Sequence, residues 1–301
     1  MIKKQLTKST DLIILEFLNT RMNLTKEDKQ NFIAKKKGYE GEVIFNSMTE
    51  KLESDCLILN DLYFNFNNTK FQIDSLVIMQ QLIYLNEVKN FEGDYYYENN
   101  KFYSLNEKER KDPLLQLSRS SSLLRQLLQY IGFHLPIEAW VVHINPEFSL
   151  YQAPRDEPII LPTQVKRYLQ KMNTTPSKIN GKHEKLADKL ISLHIHDRPF
   201  SNVPAYTYGQ VKKGITCVIC HSFSVFVHGK NCVCKDCGHE EEVESAVLRI
   251  IAEFQLLFPD RKITTHEVYE WCQIVDCKKR ISRILIKNFK GMGDRRWTYY
   301  E

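Results

Sequence analysis

The chain has 301 residues, 43% hydrophobic and 26% charged, which is the composition of a globular protein with room for two or three compact units. No apolar run approaches the roughly 20 residues that span a bilayer. The apolar stretch from Leu12 to Leu15 is short for a signal peptide, so a soluble protein with a cytoplasmic address is expected. The net charge is only +5, but residues 38 to 112 hold 14 acidic and 7 basic side chains, whereas residues 166 to 213 hold 3 and 10. Such an asymmetry suits a metal-binding centre flanked by phosphate-gripping surroundings, and it would equally serve solubility.

In chain order, Thr25 to Lys36 reads as a polar-faced helix capped by Thr25, with Asp28 three residues on and Gly38 as its stop. A second helix is expected from Tyr39 to Glu53, with Glu42 on its first turn. Strands follow at Cys56 to Tyr63, Phe71 to Met79, Leu82 to Lys89 and Lys101 to Ser104. Helical spacing returns from Leu114 to Ile131, and Ala139 to Ile144 is a short apolar strand. This order describes an α/β unit ending near Pro162. Residues 166 to 213 are basic, weakly periodic and interrupted by Pro176 and Gly181, so they read as a linker carrying one or two helices.

Two strand-like runs meet at Gln80 and Gln81. If those glutamines form a two-residue turn, Met79 faces Leu82, and counting outward sets Asp74 directly opposite Glu87. Alternation puts Glu87 and Lys89 on one face. Two carboxylates directly opposite repel unless something positive lies between them. A divalent cation is the natural candidate, and Mg²⁺ is commonly held by one or two carboxylates with substrate phosphate oxygens. A nearby lysine would then stabilise developing charge.

Several separated pieces between Lys37 and Ile144 resemble the NERD (nuclease-related) domain, a branch of the PD-(D/E)XK restriction-endonuclease-like superfamily. Gly38-Tyr39-Glu40-Gly41-Glu42 is similar to its opening glycine and glutamate motif, and Leu59-Asn60-Asp61 to the strand that follows. Gln72-Ile73-Asp74 and Glu87-Val88-Lys89-Asn90, with Gly93 after them, resemble the central catalytic pair. Asp112-Pro113-Leu114-Leu115-Gln116 resembles the motif opening the later helix. The chain departs from the family at Ser75, where histidine is usual, and at Asn86, where an apolar residue is usual. The resemblance implies a restriction-endonuclease-like core, a mixed sheet flanked by helices. It also implies phosphodiester hydrolysis dependent on Mg²⁺ (or Mn²⁺), with Asp74 and Glu87 as ligands, Lys89 as catalytic lysine, and Glu42 and Gln116 as further site residues. Glu42 and Gln116 could also be read as a solvated helix acid and a helix-start amide.

Seven of the eight cysteines follow residue 216, so they are gathered locally and not spread as a secreted disulfide framework. Cys217-x2-Cys220 and Cys234-x2-Cys237 are two knuckles separated by 13 residues, the arrangement that presents four thiolates to Zn²⁺. Val225 to Val227 supply a strand between them, which makes the segment resemble a zinc ribbon. Cys232 could replace Cys234, and His221, His228 and His239 are weaker rivals; the glycine after Cys237 favours Cys234.

Beyond it, Val243 to Phe258 carries an apolar stripe at helical spacing, Thr264 and Glu267 form a capping box, and a third helix is expected from Lys278 to Lys290. That helix sets Ile281, Ile284, Leu285 and Phe289 on one side and Arg280, Arg283, Lys287 and Lys290 on the other. A turn and a strand carrying Arg295, Arg296 and Trp297 follow. A winged helix fits this order, with its third helix entering a major groove and Arg295 and Arg296 touching backbone.

The expected organisation is a helical extension over 1–37, a nuclease-like domain over 38–165, a basic linker with helices over 166–213, a zinc ribbon over 214–240, and a helical unit, read as a winged helix, over 241–301. The expected function is a metal-dependent nuclease acting on nucleic acid, DNA first, with no membrane partner. The rival expectation is a non-catalytic nucleic-acid-binding or regulatory protein that keeps the nuclease fold.

Overall fold

The computed structural model describes residues 1–195, 203–294 and 297–301. From the N-terminus come β1 (Ile2–Lys4), α1 (Thr10–Arg21) and α2 (Lys26–Thr49), then β2 (Leu57–Phe66), β3 (Thr69–Ile78), β4 (Ile83–Lys89), β5 (Gly93–Glu98) and β6 (Lys101–Ser104). Next are α3 (Pro113–Tyr130), β7 (Ile137–His143), β8 (Phe148–Tyr151), β9 (Ile159–Ile160), α4 (Val165–Thr174) and α5 (Gly181–Leu193). The last part holds β10 (Val225–His228), β11 (Asn231–Cys234), β12 (Glu240–Glu242), α6 (Val243–Leu257), α7 (Thr265–Cys272), α8 (Lys278–Asn288), β13 (Gly291–Met292) and β14 (Tyr299–Tyr300). These elements form a mixed α/β architecture of two compact units, Met1–Ser9 with Ile33–Pro199, and Thr10–Phe32 with Phe200–Glu301.

The first unit is built on a mixed sheet of order β1-β2-β3-β4-β7-β9, antiparallel from β2 to β4 and parallel elsewhere. Its middle strands are buried on both faces, which is why they read as near-continuous apolar runs and not as alternating ones. On one face Ile83, Leu85 and Val141 pack with Leu117 and Leu124 of α3 and Leu186 and Leu190 of α5. On the other, Tyr84, Val88 and Val142 pack with Phe45 of α2 and Val165, Tyr168 and Met172 of α4. A second sheet of order β6-β5-β8 stands beside it, with Tyr95 and Phe102 stacked at 5.1 Å.

Four expectations change here. Gly38 does not end a helix: α2 runs unbroken from Lys26 to Thr49 because a single glycine costs a helix only about 1 kcal/mol and tertiary packing outweighs it. Residues 1–37 are not a separate extension, since β1 pairs with β2 while α1 buries Ile14 and Leu18 in the core of the second unit. Residues 166 to 193 are not a linker, because α4 and α5 cover the two faces of the sheet. Strands β5 and β8 were not anticipated; their tyrosines and charged residues lack the apolar density of a core strand.

The second unit packs α1, α6, α7 and α8 with a three-stranded sheet of order β10-β11-β12 around Val247, Ile250, Phe254, Trp271, Ile281 and Leu285. Arg21 is buried within it and donates to Glu253 and, at 2.7 Å, to the Lys212 carbonyl, with its guanidinium 4.4 Å from the Trp271 ring centroid. A buried charge requires such pairing. Strands β13 and β14 form a small antiparallel pair, which Ile263 extends by a bridge to Tyr300. Among the described residues, no helix is long and apolar enough to cross a membrane.

Candidate functional site

Strands β3 and β4 pair Ile78 with Ile83, Val77 with Tyr84, Leu76 with Leu85 and Ser75 with Asn86. The pairing ends there, in the register that a two-residue turn at Gln80 and Gln81 dictates, and the same register carried one position further would set Asp74 level with Glu87. Both carboxylates are buried, Asp74 to 8% exposure and Glu87 to 1%. Asp74 accepts the backbone N–H of Val88 at 2.8 Å. Lys89 donates to Glu87 Oε1 at 2.6 Å and to Gln116 Oε1 at 3.1 Å, and Gln116 donates its amide to the same Glu87 oxygen.

Gln116 reaches this point because α3 starts where it does. Asp112 caps the helix by accepting the Leu114 N–H at 2.9 Å, Pro113 occupies its first turn, and Tyr97 of β5 donates to Asp112 at 2.7 Å. Glu42 comes from α2, which approaches the end of β4 closely at Gly41. A Cβ at Gly41 would lie 2.5 Å from Asn90 Cβ and 3.3 Å from Ile144. Only glycine lets the helix sit at that depth.

The electrostatics follow from this crowding. Burial pushes the Asp74 pKa well above the usual carboxylate range, and the charges of Glu87 and Glu42 push it further. Burial acts to lower the Lys89 pKa, but Glu87, Asp74 and Glu42 outweigh it and hold the ammonium raised. Glu87 Oε2 is buried with no hydrogen-bond partner among the described residues. An unsatisfied carboxylate oxygen in a site shared by three acids costs free energy unless a cation meets it, so the donor set fits a hard, oxygen-seeking divalent ion. The structure thus gathers Asp74, Glu87, Lys89, Glu42 and Gln116.

Two neighbours, Asp61 and His143, were given no site role from the sequence. Asp61, at the break in β2–β3 pairing where its φ is 52°, accepts from Thr7 at 3.0 Å and from Gln72, whose amide also reaches toward Asp74 at 3.5 Å. His143 is the ladder partner of Lys89 on β7 and stacks on Phe148 at 3.9 Å. Burial first, and then the Lys89 charge, lower its pKa to about 3, so its imidazole is neutral. Asp61 lay in a motif without a role, and no local pattern marks His143, because it reaches the centre through pairing of strands distant in sequence.

In the second unit the sulfurs of Cys217, Cys220, Cys234 and Cys237 lie within 4.8 Å of one another, a set able to hold a metal ion. Gly238, at φ 73°, closes the second knuckle by donating its N–H to the Cys234 carbonyl at 3.0 Å. Cys232 stands apart. It pairs with Val227 in the β10–β11 ladder, its side chain is buried in the core, and burial pushes its thiol up to about 11.

On α8, Ile281, Ile284 and Leu285 are buried while Arg283 and Lys287 are exposed; Lys290, expected on the same helix, lies beyond its end at Asn288, exposed and donating its backbone N–H to the Glu301 carbonyl at 2.8 Å. Two members of the basic stripe have partners: Arg280 donates to the Gly229 carbonyl at 3.1 Å, and Lys287 pairs with Glu244 at 2.8 Å. Arg295 and Arg296 lie outside the described residues.

Residues 37–144 match the family model of the nuclease-related domain (NERD), the span that carries β2 to β7 with Asp74, Glu87, Lys89, Glu42 and Gln116. Comparison with curated proteins and with solved structures returned no match.

Proposed function

We propose that this chain, with a nuclease-related region at residues 37–144, is a metal-dependent nuclease that hydrolyses phosphodiester bonds in DNA. The observation that carries the reading is the buried Glu87 Oε2, without a hydrogen-bond partner among the described residues, beside an Asp74 carboxyl whose pKa is raised by burial and then by the charges of Glu87 and Glu42. Asp74 and Glu87 would hold Mg²⁺ (or Mn²⁺), with Glu42 as an additional carboxylate. A divalent cation held there supplies Lewis acidity toward the phosphodiester and activation of water. Lys89, kept as an ammonium by the surrounding carboxylates, would stabilise charge developing on the phosphoryl oxygens. Gln116 orients both Glu87 and Lys89 through its two amide atoms. The antiparallel hairpin followed by a parallel strand and flanked by helices supports a restriction-endonuclease-like core of the PD-(D/E)XK kind.

The second unit would place the enzyme on its substrate. The Cys217, Cys220, Cys234 and Cys237 set fits tetrahedral Zn²⁺ and a zinc ribbon, where metal binding contributes folding free energy. Three helices followed by a short strand pair fit a winged helix, with Arg283, Lys287 and Lys290 toward phosphates. The proposal keeps the cytoplasmic address expected from the sequence. The test is Mg²⁺-dependent digestion of plasmid, single strands and RNA by the purified chain beside an Asp74→Ala variant. Cleavage of DNA by the parent alone supports the reading; equal activity in both, or none in either, refutes it and favours a non-catalytic nucleic-acid-binding role.

A further inference from the structure

The basic segment that the sequence presents as a linker is folded onto the first unit as α4 and α5, and the charges of α5 are sorted. At about 100° per residue, Lys182, Lys185 and Lys189 fall within an arc of about 60°, whereas Glu184 and Asp188 lie on the opposite flank, about 110° away. The buried face between the flanks carries His183, Leu186, Ala187 and Leu190. Both acids are turned to β1: Glu184 pairs with Lys3, and Asp188 adds its charge to the same ammonium. The three lysines are exposed and have no acidic partner among the described residues.

The sheet order gives this sorting a direction. Helix α5 lies over β2, and β1 is the outer neighbour of β2. With its acidic flank on the β1 side, its lysine flank turns toward β3 and α3, on the face of the sheet that α3 shares. The C-terminal end of α5 is pinned at Tyr63, whose N–H donates to His194 Nδ1 at 3.0 Å and whose carbonyl accepts from Ile195 at 2.9 Å. Tyr63 pairs with Gln72, two residues from Asp74. The lysine row therefore runs toward the level of the carboxylates. On α3, which packs on the same face of the sheet, Arg119 stands exposed one helical turn beyond Gln116, also without an acidic partner among the described residues.

We propose that Lys182, Lys185 and Lys189 of α5, with Arg119 of α3, form a phosphate-gripping surface by which the first unit itself binds the backbone of duplex DNA beside its carboxylate centre. The surface deepens the nuclease reading and rests on it for the choice of DNA. Unneutralised cations in a row release counterions when they meet phosphates, so their contribution appears in the salt dependence of binding and not in sequence preference.

The test is fluorescence anisotropy of the full chain with a labelled duplex, without added divalent cation, across a salt series. Replacing Lys182, Lys185 and Lys189 together by glutamine should weaken binding about tenfold and flatten the slope of log affinity against log salt by about 2 to 3 units, at about 0.9 per lost phosphate contact. The triple variant is expected to fold, since none of the three belongs to the core, and a melting curve checks this. Glu184→Gln with Asp188→Asn, made on the otherwise unchanged chain, should hold or raise affinity. An unchanged slope in the folded triple variant, or weaker binding in the acid-neutralised one, overturns the surface. The catalytic reading fails separately, by Asp74→Ala retaining cleavage while the triple variant still loses its salt slope.

Discussion

The Val88 backbone N–H donates to the Asp74 carboxylate at 2.8 Å, so one oxygen of the acid is held by the strand that also carries Glu87. Asn at this position keeps an acceptor for that bond and removes a charge from a crowded site. Because folding raises the Asp74 pKa, ionisation destabilises the fold above that pKa, and the penalty fades as the carboxyl is protonated on acidification. Asp74→Asn should therefore melt higher than the parent at neutral pH without divalent cations, each kcal/mol of relief giving about 2–4 °C. The same variant should lose cleavage by about a hundredfold or more and lose any Mg²⁺-induced rise in melting temperature. A lower metal-free melting temperature would count against the crowding.

Gly41→Ala tests how Glu42 reaches the centre. The added Cβ would meet Asn90 Cβ at 2.5 Å, and Asn90 is itself held by donating to the Lys37 carbonyl at 2.7 Å. Helix α2 must then retreat, at a cost of about 1–3 kcal/mol. Activity and stability should both fall in melting curves and cleavage assays, more than for the exposed Gly38→Ala, which meets nothing within 4 Å.

For the cysteine cluster, Cys234→Ser is expected to reduce bound zinc from one per chain to none, whereas Cys232→Ser should retain it, because Cys232 lies in the core and outside the four-sulfur set. Metal analysis of the purified variants decides; release by Cys232→Ser and retention by Cys234→Ser would reverse the assignment.

His143 should make the first unit acid-sensitive. Its folded pKa is lowered to about 3, below the roughly 6.5 of an unfolded histidine, so between those values the unfolded chain binds the additional proton. Stability contributed by the neutral ring is present above the unfolded pKa and is lost as pH falls, with a slope of up to about 1.4 kcal/mol per pH unit. His143→Gln should flatten the acid limb of urea-unfolding free energy between about pH 6 and pH 4 by one proton. Parallel limbs for parent and variant would show that the ring is protonated in the fold.

On α8, replacing Arg283 and Lys287 together by alanine should lower DNA affinity and reduce the salt slope by about 1 to 2 units, with the fold intact because both are exposed. Loss of the surface Lys287 pair with Glu244 should cost no more than about 1 kcal/mol. An unchanged slope would make α8 a packing element.

Local periodicity was enough to place the β3–β4 hairpin and its register, the two cysteine knuckles and the apolar faces of α6 and α8, because each is a consequence of residues a few positions apart. A strand alternates every two residues and a helix turns every 3.6, so these relations are fixed before any tertiary contact forms. The convergence of Glu42 and Gln116 could be suspected in the sequence only from motif resemblance, since their helices are joined to β4 by contacts far apart in the chain.

Other features were decided by the tertiary structure. Gly38 lies inside a helix because packing outweighed its propensity, and Ile2–Lys4 became an edge strand because β2 offered an unpaired side. Cys232 is a core thiol because, although it shares a face of β11 with Cys234, it lies two residues further from the knuckles, packed in the core of the second unit and outside the four-sulfur set. The segment after Val165 became two covering helices because both faces of the sheet had apolar surface to bury. His143 lies beside Lys89 because parallel pairing joins strands separated by α3. Composition and spacing state which residues can bury or ligate, whereas the partner each one meets depends on long-range burial that only the folded chain resolves.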